Sequence, residues 1–227
     1  MFPPKTLFSA IMDTYSIKNS DHIIIYARKG VIFTPRMWFL FKSMGHDPTK
    51  IHLLQGSLEE WMEAGGALET GLTVIPKAKD LDLSKKFKYV VQDAHNVCDM
   101  QEVLKSISSD GIALGKNSLI IDSRGSSFAR GHIPGAVHIP YSSFVIPGNM
   151  LQFKKKSDLL DVFTQAGVDV LDKRQIICSC GSGVSACHIF LALKECDRIV
   201  EDRNTVIYDG SWAEWGSDEN TPKILRS

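Results

Sequence analysis

Three of the five cysteines fall within ten residues, in CSCGSGVSAC at 178–187. Cys180 heads the run Cys180-Gly181-Ser182-Gly183-Val184-Ser185, set between the β-branched QIICS (175–179) and the helical pattern VSACHIFLALK (184–194). Ligands of open α/β sheets bind at the carboxyl ends of strands. A helix N-terminus adds unpaired N–H groups and partial positive charge. Gly181 and Gly183 let the backbone curl so that successive N–H groups point inward as an anion nest. A thiol at the mouth of such a nest is expected to have a lowered pKa and to react as thiolate. The same nest suits an anionic persulfide, Cys–S–S⁻.

Other chemistries fit less well. Zinc held by Cys178, Cys180, Cys187 and His188 matches no structural-zinc spacing, and a Cys178–Cys180 disulfide would need distorted geometry along a strand. A phosphatase cradle needs an arginine six positions after the cysteine, where Ala186 stands. Cys178 and Cys187 read as small apolar core residues. No metal and no cofactor is expected.

The positioning elements follow from period and punctuation. Residues 5–17 place Leu7, Phe8, Ile11, Met12 and Tyr15 on one helical face. HIIIYA (22–27) reads as a buried strand. Thr34 then caps a helix with Pro35 at its first position, ending at Gly45. IHLL (51–54) is a strand, and Ser57 with Glu60 a capping box. The Lys-rich stretch from 70 to 92 reads as a linker. A helix is expected over 96–107, a strand over 118–122, and a turn-rich passage at 131–140 leading into an extended segment. A helix over 157–167 has Ser157 as cap and Gly167 as stop. TVIY (205–208) is a strand, and Ser211 with Glu214 a second capping box. Strands alternating with helices predict a parallel α/β sheet.

The chain also repeats itself. HIIIYA…LLQGSLEEW and QIICSC…IYDGSWAEW share order and pattern, each reaching a Gly-Ser pair about 30 residues after its strand. Ala27 falls opposite Cys180, Gly56 opposite Gly210 and Trp61 opposite Trp215. The second copy keeps the cysteine. The first copy lacks roughly 35–40 residues of counterpart to SLIID and GHIPGAVHIP, so the first domain is expected to be incomplete. The expected division is an incomplete non-catalytic domain at 1–75, a linker at 76–92 and a catalytic domain at 93–227.

Composition excludes several classes. Lys plus Arg equal Asp plus Glu at 26 each, so electrostatics argues for neither nucleic acid nor membrane as partner. No apolar run approaches a membrane span, and MFPPKTLFSA has no signal-peptide pattern. An odd cysteine count argues for free thiols in a reducing compartment. The expected location is cytoplasmic, with mitochondrial as the alternative.

The segments CGSGVSACH (180–188), YDGSWAEW (208–215), RGHIPGAVHIP (130–140) and TPRMWFLFKSMGHDPTKIHLLQGSLEEW (34–61) together resemble the rhodanese superfamily, more narrowly its two-domain 3-mercaptopyruvate sulfurtransferases. The resemblance implies tandem rhodanese-like domains, each a parallel sheet flanked by helices. It implies that Cys180 takes sulfur from a small-molecule donor, 3-mercaptopyruvate or thiosulfate, and passes it to a thiol, thioredoxin or cyanide. It implies that Gly181, Gly183, Val184 and Ser185 form the cradle. For Ser182 it implies assistance in proton transfer; the residue alone reads equally as a small side chain that fits the loop. The neutral loop favours mercaptopyruvate over dianionic thiosulfate.

Two features set the chain apart from that family. The family's Arg-Phe and Pro-Arg motif after the Asp-x-Arg turn is missing, because IIDSRGSSFARGHIPG runs straight on. Arg124 then holds the Asp-x-Arg position, tied to Asp122, and Arg130 is the nearest candidate for a substitute carboxylate clamp. The family's His and Asp partners of the serine would precede Met1. These departures support a second reading, a weak or inactive truncated rhodanese acting as a binding or sulfur-relay module. Trp212 and Trp215 read as core and pocket wall, and His132 and His138 as structural histidines. Arg28 and Lys29 read as surface charge, and Asp209 as a cap for a backbone amide near the cradle.

Overall fold

The computed structural model describes residues 2–71, 77, 81–92, 96–108, 111, 115–200 and 203–225. Strands β3 (Val97–Cys98), β4 (Ser118–Asp122), β5 (Val137–His138), β8 (Gln175–Ser179) and β9 (Thr205–Tyr208) form one sheet in the order β3-β9-β8-β4-β5, every pair parallel. Its middle strands are short β-branched runs because both faces are covered, which suits Ile and Val over an alternating pattern. All five residues of β4 and all four of β9 are buried. One face packs on α5 (Lys156–Gln165) and α6 (Ala186–Glu195). The other packs on Val103 of α4 (Met100–Ser106), Ile133, and Trp215 of α7 (Ser211–Trp215). A small antiparallel pair, β6 (Val145–Ile146) and β7 (Asn149–Phe153), stands apart from the sheet.

The first half supplies α1 (Lys5–Thr14), β1 (Ile23–Ile25), α2 (Thr34–Ser43), β2 (Ile51–Leu53) and α3 (Leu58–Glu63). β1 and β2 pair in parallel as Ile23–Ile51, Ile24–His52 and Ile25–Leu53. The repeat maps these pairs onto Ile176–Thr205, Ile177–Val206 and Cys178–Ile207, the register of β8 with β9. One loop bond repeats as well. The Leu58 N–H donates to the Ala27 carbonyl, and the Trp212 N–H donates to the Cys180 carbonyl. The largest apolar cluster runs through both halves, with the rings of Phe39 on α2 and Phe190 on α6 edge to face at 4.8 Å.

HIIIYA is not the buried strand its composition predicts. Ile25 is buried, but Ile24 is 67% exposed and Tyr26 58%. Its counterpart Ile177 is fully buried, because β8 has partners on both edges and cover on both faces. The expected helix over 96–107 is also shorter. Val97 and Cys98 pair with Ile207 and Tyr208 as an edge strand, and the helix starts after Asp99, whose carboxylate accepts the Glu102 N–H. Two expected caps are absent. Thr34 lies inside α2 after Phe33, and Ser157 lies inside α5, its hydroxyl turned to Asp158. The Ser57–Glu60 capping box is present in full.

Part of the expected linker, 72–76 and 78–80, lies outside the described residues. Residues 81–92 carry no helix or strand, yet Tyr89 is buried against Phe8 and its hydroxyl hydrogen-bonds with His46 Nδ1 at 2.7 Å. Among the described residues no helix is long and apolar enough to cross a membrane.

Candidate active site

Cys180 follows the last residue of β8, and the loop it opens leads into α6. Cys180 lines an open pocket of about 290 Å³ together with Gly181, Ser182, Val184, Ser185 and Arg124, and with Ile32 and Phe33 from the first half. The residue is only 2% exposed, so its sulfur is approached through that cavity. The Ser182 N–H points at Cys180 Sγ at 3.4 Å.

The rest of the expected nest is differently arranged. The Gly183 N–H donates to Ser211 Oγ at 3.1 Å instead of to the sulfur. The same oxygen accepts the Cys180 N–H at 3.1 Å, and the hydroxyl donates to the Tyr208 carbonyl at 2.7 Å. Ser211 thus ties both ends of the first loop turn to β9, from a left-handed backbone at φ 50°. An ordinary residue held there stores local strain, a feature concentrated at functional sites. The expected Ser211–Glu214 capping box is therefore not formed. Glu214 accepts the Tyr208 hydroxyl at 2.7 Å, and burial together with that carboxylate pushes the Tyr208 phenol up. The first-copy Ser57, with an extended backbone, is free to cap its helix.

Of the two glycines, Gly183 is the one the geometry requires. Its φ is +76°, and a Cβ there would lie 2.6 Å from the Asp209 carbonyl oxygen. A Cβ on Gly181 would meet nothing within 4 Å. The Gly183 carbonyl accepts Arg36 Nη1 at 3.2 Å and the Cys187 thiol at 3.5 Å. Ser185 Oγ lies 2.9 Å from Ser123 Oγ, which joins the loop to the end of β4.

The two candidate arginines part company. Arg124 is buried and forks onto Asp122, with Nε to both carboxylate oxygens at 3.1 and 3.0 Å and Nη2 to Oδ2 at 2.8 Å. Nη2 also reaches the Gly131 carbonyl, and the guanidinium lies 4.6 Å over the Trp212 ring. Arg124 therefore forms cavity wall with its Nε and Nη2 donors engaged by Asp122 and Gly131. Arg130 is exposed at the end of the 3-10 turn Ser126–Arg130 and is not among the residues lining the cavity. His138 bonds the Arg124 carbonyl and His132 stacks on Phe128 at 4.1 Å, both in structural settings. Trp215 is fully buried. Arg28 pairs with Glu59 on the surface.

Asp209 does accept a backbone amide, but it is that of Phe2 at 2.9 Å. Its other oxygen takes Arg36 Nη2 at 2.9 Å. Burial pushes the Asp209 carboxyl up; hydrogen bonding and the facing guanidinium outweigh that and hold it below the usual carboxylate range. Sequence reasoning missed Arg36, Ile32 and Phe33. For Arg36 a signal existed: a cation in the first turn of a helix sits at the unfavourable end of the dipole.

All five cysteines are free and buried. Burial pushes Cys178 well up and Cys187 up to about 12, so both stay protonated as core thiols. Among the described residues no three His, Cys, Asp or Glu side chains are grouped to hold a metal ion. His188 is fully buried between Tyr141 and Phe153 with neither ring nitrogen partnered, and burial lowers its pKa to about 4.

The family model of the rhodanese-like domain matches residues 99–218, which carry the whole of this loop. The chain belongs to the rhodanese family. It is 31% identical to the probable 3-mercaptopyruvate sulfurtransferase of Schizosaccharomyces pombe, over 99% of this chain and 74% of that one. It is 30% identical to the 3-mercaptopyruvate sulfurtransferase of Escherichia coli K12, over 98% and 74%. The crystal structure of SseA from Escherichia coli, a 3-mercaptopyruvate sulfotransferase with the rhodanese fold, is similar at a TM-score of 0.72 and 26% identity, over 93% of this chain and 74% of that one. The yeast mitochondrial complex I sub-stoichiometric sulfur transferase subunit is similar at 0.74 and 27%, over 100% and 79%. This rhodanese is an enzyme of the sulfurtransferase type.

Proposed function

We propose that Cys180 carries sulfur from 3-mercaptopyruvate, in preference to thiosulfate, to a thiol acceptor such as thioredoxin, or to cyanide. The Cys180 thiolate attacks the donor sulfur, and the donor's C–S bond breaks. Its electron pair stays on carbon, which takes up a proton as pyruvate leaves. The outer sulfur of the resulting persulfide is then attacked by the acceptor thiolate, the S–S bond breaks, and Cys180 returns as thiolate. Residues 93–227 form the catalytic unit in this reading, and 1–75 a non-catalytic partner unit. The observation that carries it is the Ser182 N–H on Cys180 Sγ beside an open pocket that Cys180 lines. Gly181, Val184 and Ser185 wall the persulfide, Gly183 permits the turn, and Ser182 binds through its backbone. Arg124 shapes the wall.

Donor preference follows from charge. Among the described residues lining the cavity the one cation is Arg124, and Asp122 neutralises it. A dianion gains little there, whereas the monoanionic mercaptopyruvate gives up less solvation. The same scarcity of free cations supports the second reading, a sulfur-relay module with slow turnover. Steady-state kinetics with mercaptopyruvate and reduced thioredoxin separate the two. Pyruvate release with parallel double-reciprocal lines, abolished by Cys180→Ser, supports the transferase. Release that is no faster than in Cys180→Ser refutes turnover at this site.

A further inference from the structure

We infer that Arg36 is a positioning residue for sulfur transfer: reaching across from the first half of the chain, it holds the Gly183 carbonyl so that the Val184 N–H faces the Cys180 cavity. This rests on the reading of Cys180 as sulfur carrier. The Arg36 guanidinium is fixed on three sides, by the Gly183 carbonyl at 3.2 Å, by Asp209 Oδ1 at 2.9 Å and by the Phe2 ring at 4.7 Å. Its side chain is only 12% exposed. The helix that carries it does not account for it, because a cation in the first turn of α2 opposes the helix dipole. The contacts that do account for it are 147 and 173 residues away in sequence.

The consequence follows from peptide geometry. No peptide bond among the described residues is cis, so the Gly183 C=O and the Val184 N–H point in opposite directions. The carbonyl faces Arg36, and Val184 lines the cavity while Gly183 does not. The Val184 N–H is thereby a second donor beside the Ser182 N–H for the outer sulfur of the persulfide. A guanidinium on the carbonyl also polarises the amide and strengthens its N–H as a donor. Ser211 holds the Gly183 N–H, which fixes one side of the turn and leaves its carbonyl side to Arg36.

The test uses the full chain and three variants: Arg36→Lys, Arg36→Met, and Arg36→Met with Asp209→Leu, which removes both members of the Arg36–Asp209 ion pair. Quenched-flow intact mass measures the rate of sulfur loading onto Cys180 against mercaptopyruvate concentration, on protein shown folded by near-UV circular dichroism. The maximal loading rate should fall about tenfold or more in all three, with the half-saturating concentration moving less than about threefold. Lysine, which keeps the charge and loses the fork, should recover only part of the rate. A merely structural role would lower the loaded fraction and leave its rate constant alone. Rates within about twofold of wild type in the folded variants, or a loss confined to half-saturation, would overturn the inference. If the wild-type chain takes no sulfur, the Cys180 reading fails, and alkylation of Cys180 by iodoacetamide at fixed pH decides for Arg36 alone. A fall of about threefold or more in the variants supports the positioning role, and an unchanged rate refutes it.

Discussion

The Ser211 hydroxyl oxygen accepts the Cys180 N–H at 3.1 Å and the Gly183 N–H at 3.1 Å, and by donating to the Tyr208 carbonyl it ties the start of the Cys180 loop to the end of β9. Both N–H groups are buried, so losing their acceptor costs their full desolvation. Ser211→Ala should lower stability by about 2–4 kcal/mol in urea unfolding, against about 1 kcal/mol for Ser57→Ala, whose hydroxyl only caps a helix. Equal losses at the two repeat-related serines would contradict this assignment.

Gly183 and Gly181 should behave oppositely on substitution. Gly183→Ala puts a methyl 2.6 Å from a backbone oxygen at φ +76°, where neither side can yield cheaply. A loss of about 2–4 kcal/mol is expected, together with a marked loss of sulfur loading. Gly181→Ala enters open space and should stay within about 0.5 kcal/mol of wild type. The pair is checked by thermal unfolding followed at 222 nm, and a Gly181→Ala loss as large as that of Gly183→Ala would refute it.

His188 gives the fold an acid sensitivity with a defined window. Burial lowers its folded pKa from 6.5 to about 4, so the unfolded chain takes up a proton that the folded chain refuses. Stability from this residue is complete above pH 6.5 and is lost as pH falls from 6.5 to about 4, some 3 kcal/mol in all and about 2 kcal/mol by pH 5. His188→Leu should flatten that part of the stability profile and cost little at pH 7, because neither ring nitrogen has a partner to lose. Urea midpoints at pH 7 and pH 5 for both proteins check it; an unchanged slope in the variant would refute it.

Much of this was legible in the sequence, for local reasons. The β-branched runs that become β4, β8 and β9, the parallel sheet and the Cys180 turn follow from period and punctuation over a few residues. The repeat even anticipates the register, since β1 with β2 and β8 with β9 pair at equivalent residues. What the sequence hid depends on distant partners. Ser57 and Ser211 share a Gly-Ser pattern, yet one caps a helix and the other holds a loop, because only Ser211 faces the orphan N–H groups of Cys180 and Gly183. Val97 and Cys98 follow the period of the helix after them, yet an available sheet edge makes them strand. Ile24 has the composition of a core residue and lies exposed because, among the described residues, the first sheet has two strands where the second has five.

The most direct test is the intact mass of the reduced, folded protein after brief exposure to 3-mercaptopyruvate, then separately to thiosulfate, beside Cys180→Ser. The account predicts a gain of one sulfur atom on the wild-type chain, faster with mercaptopyruvate, removed by reduced thioredoxin and absent from Cys180→Ser. No gain from either donor, or the same gain in Cys180→Ser, would contradict it.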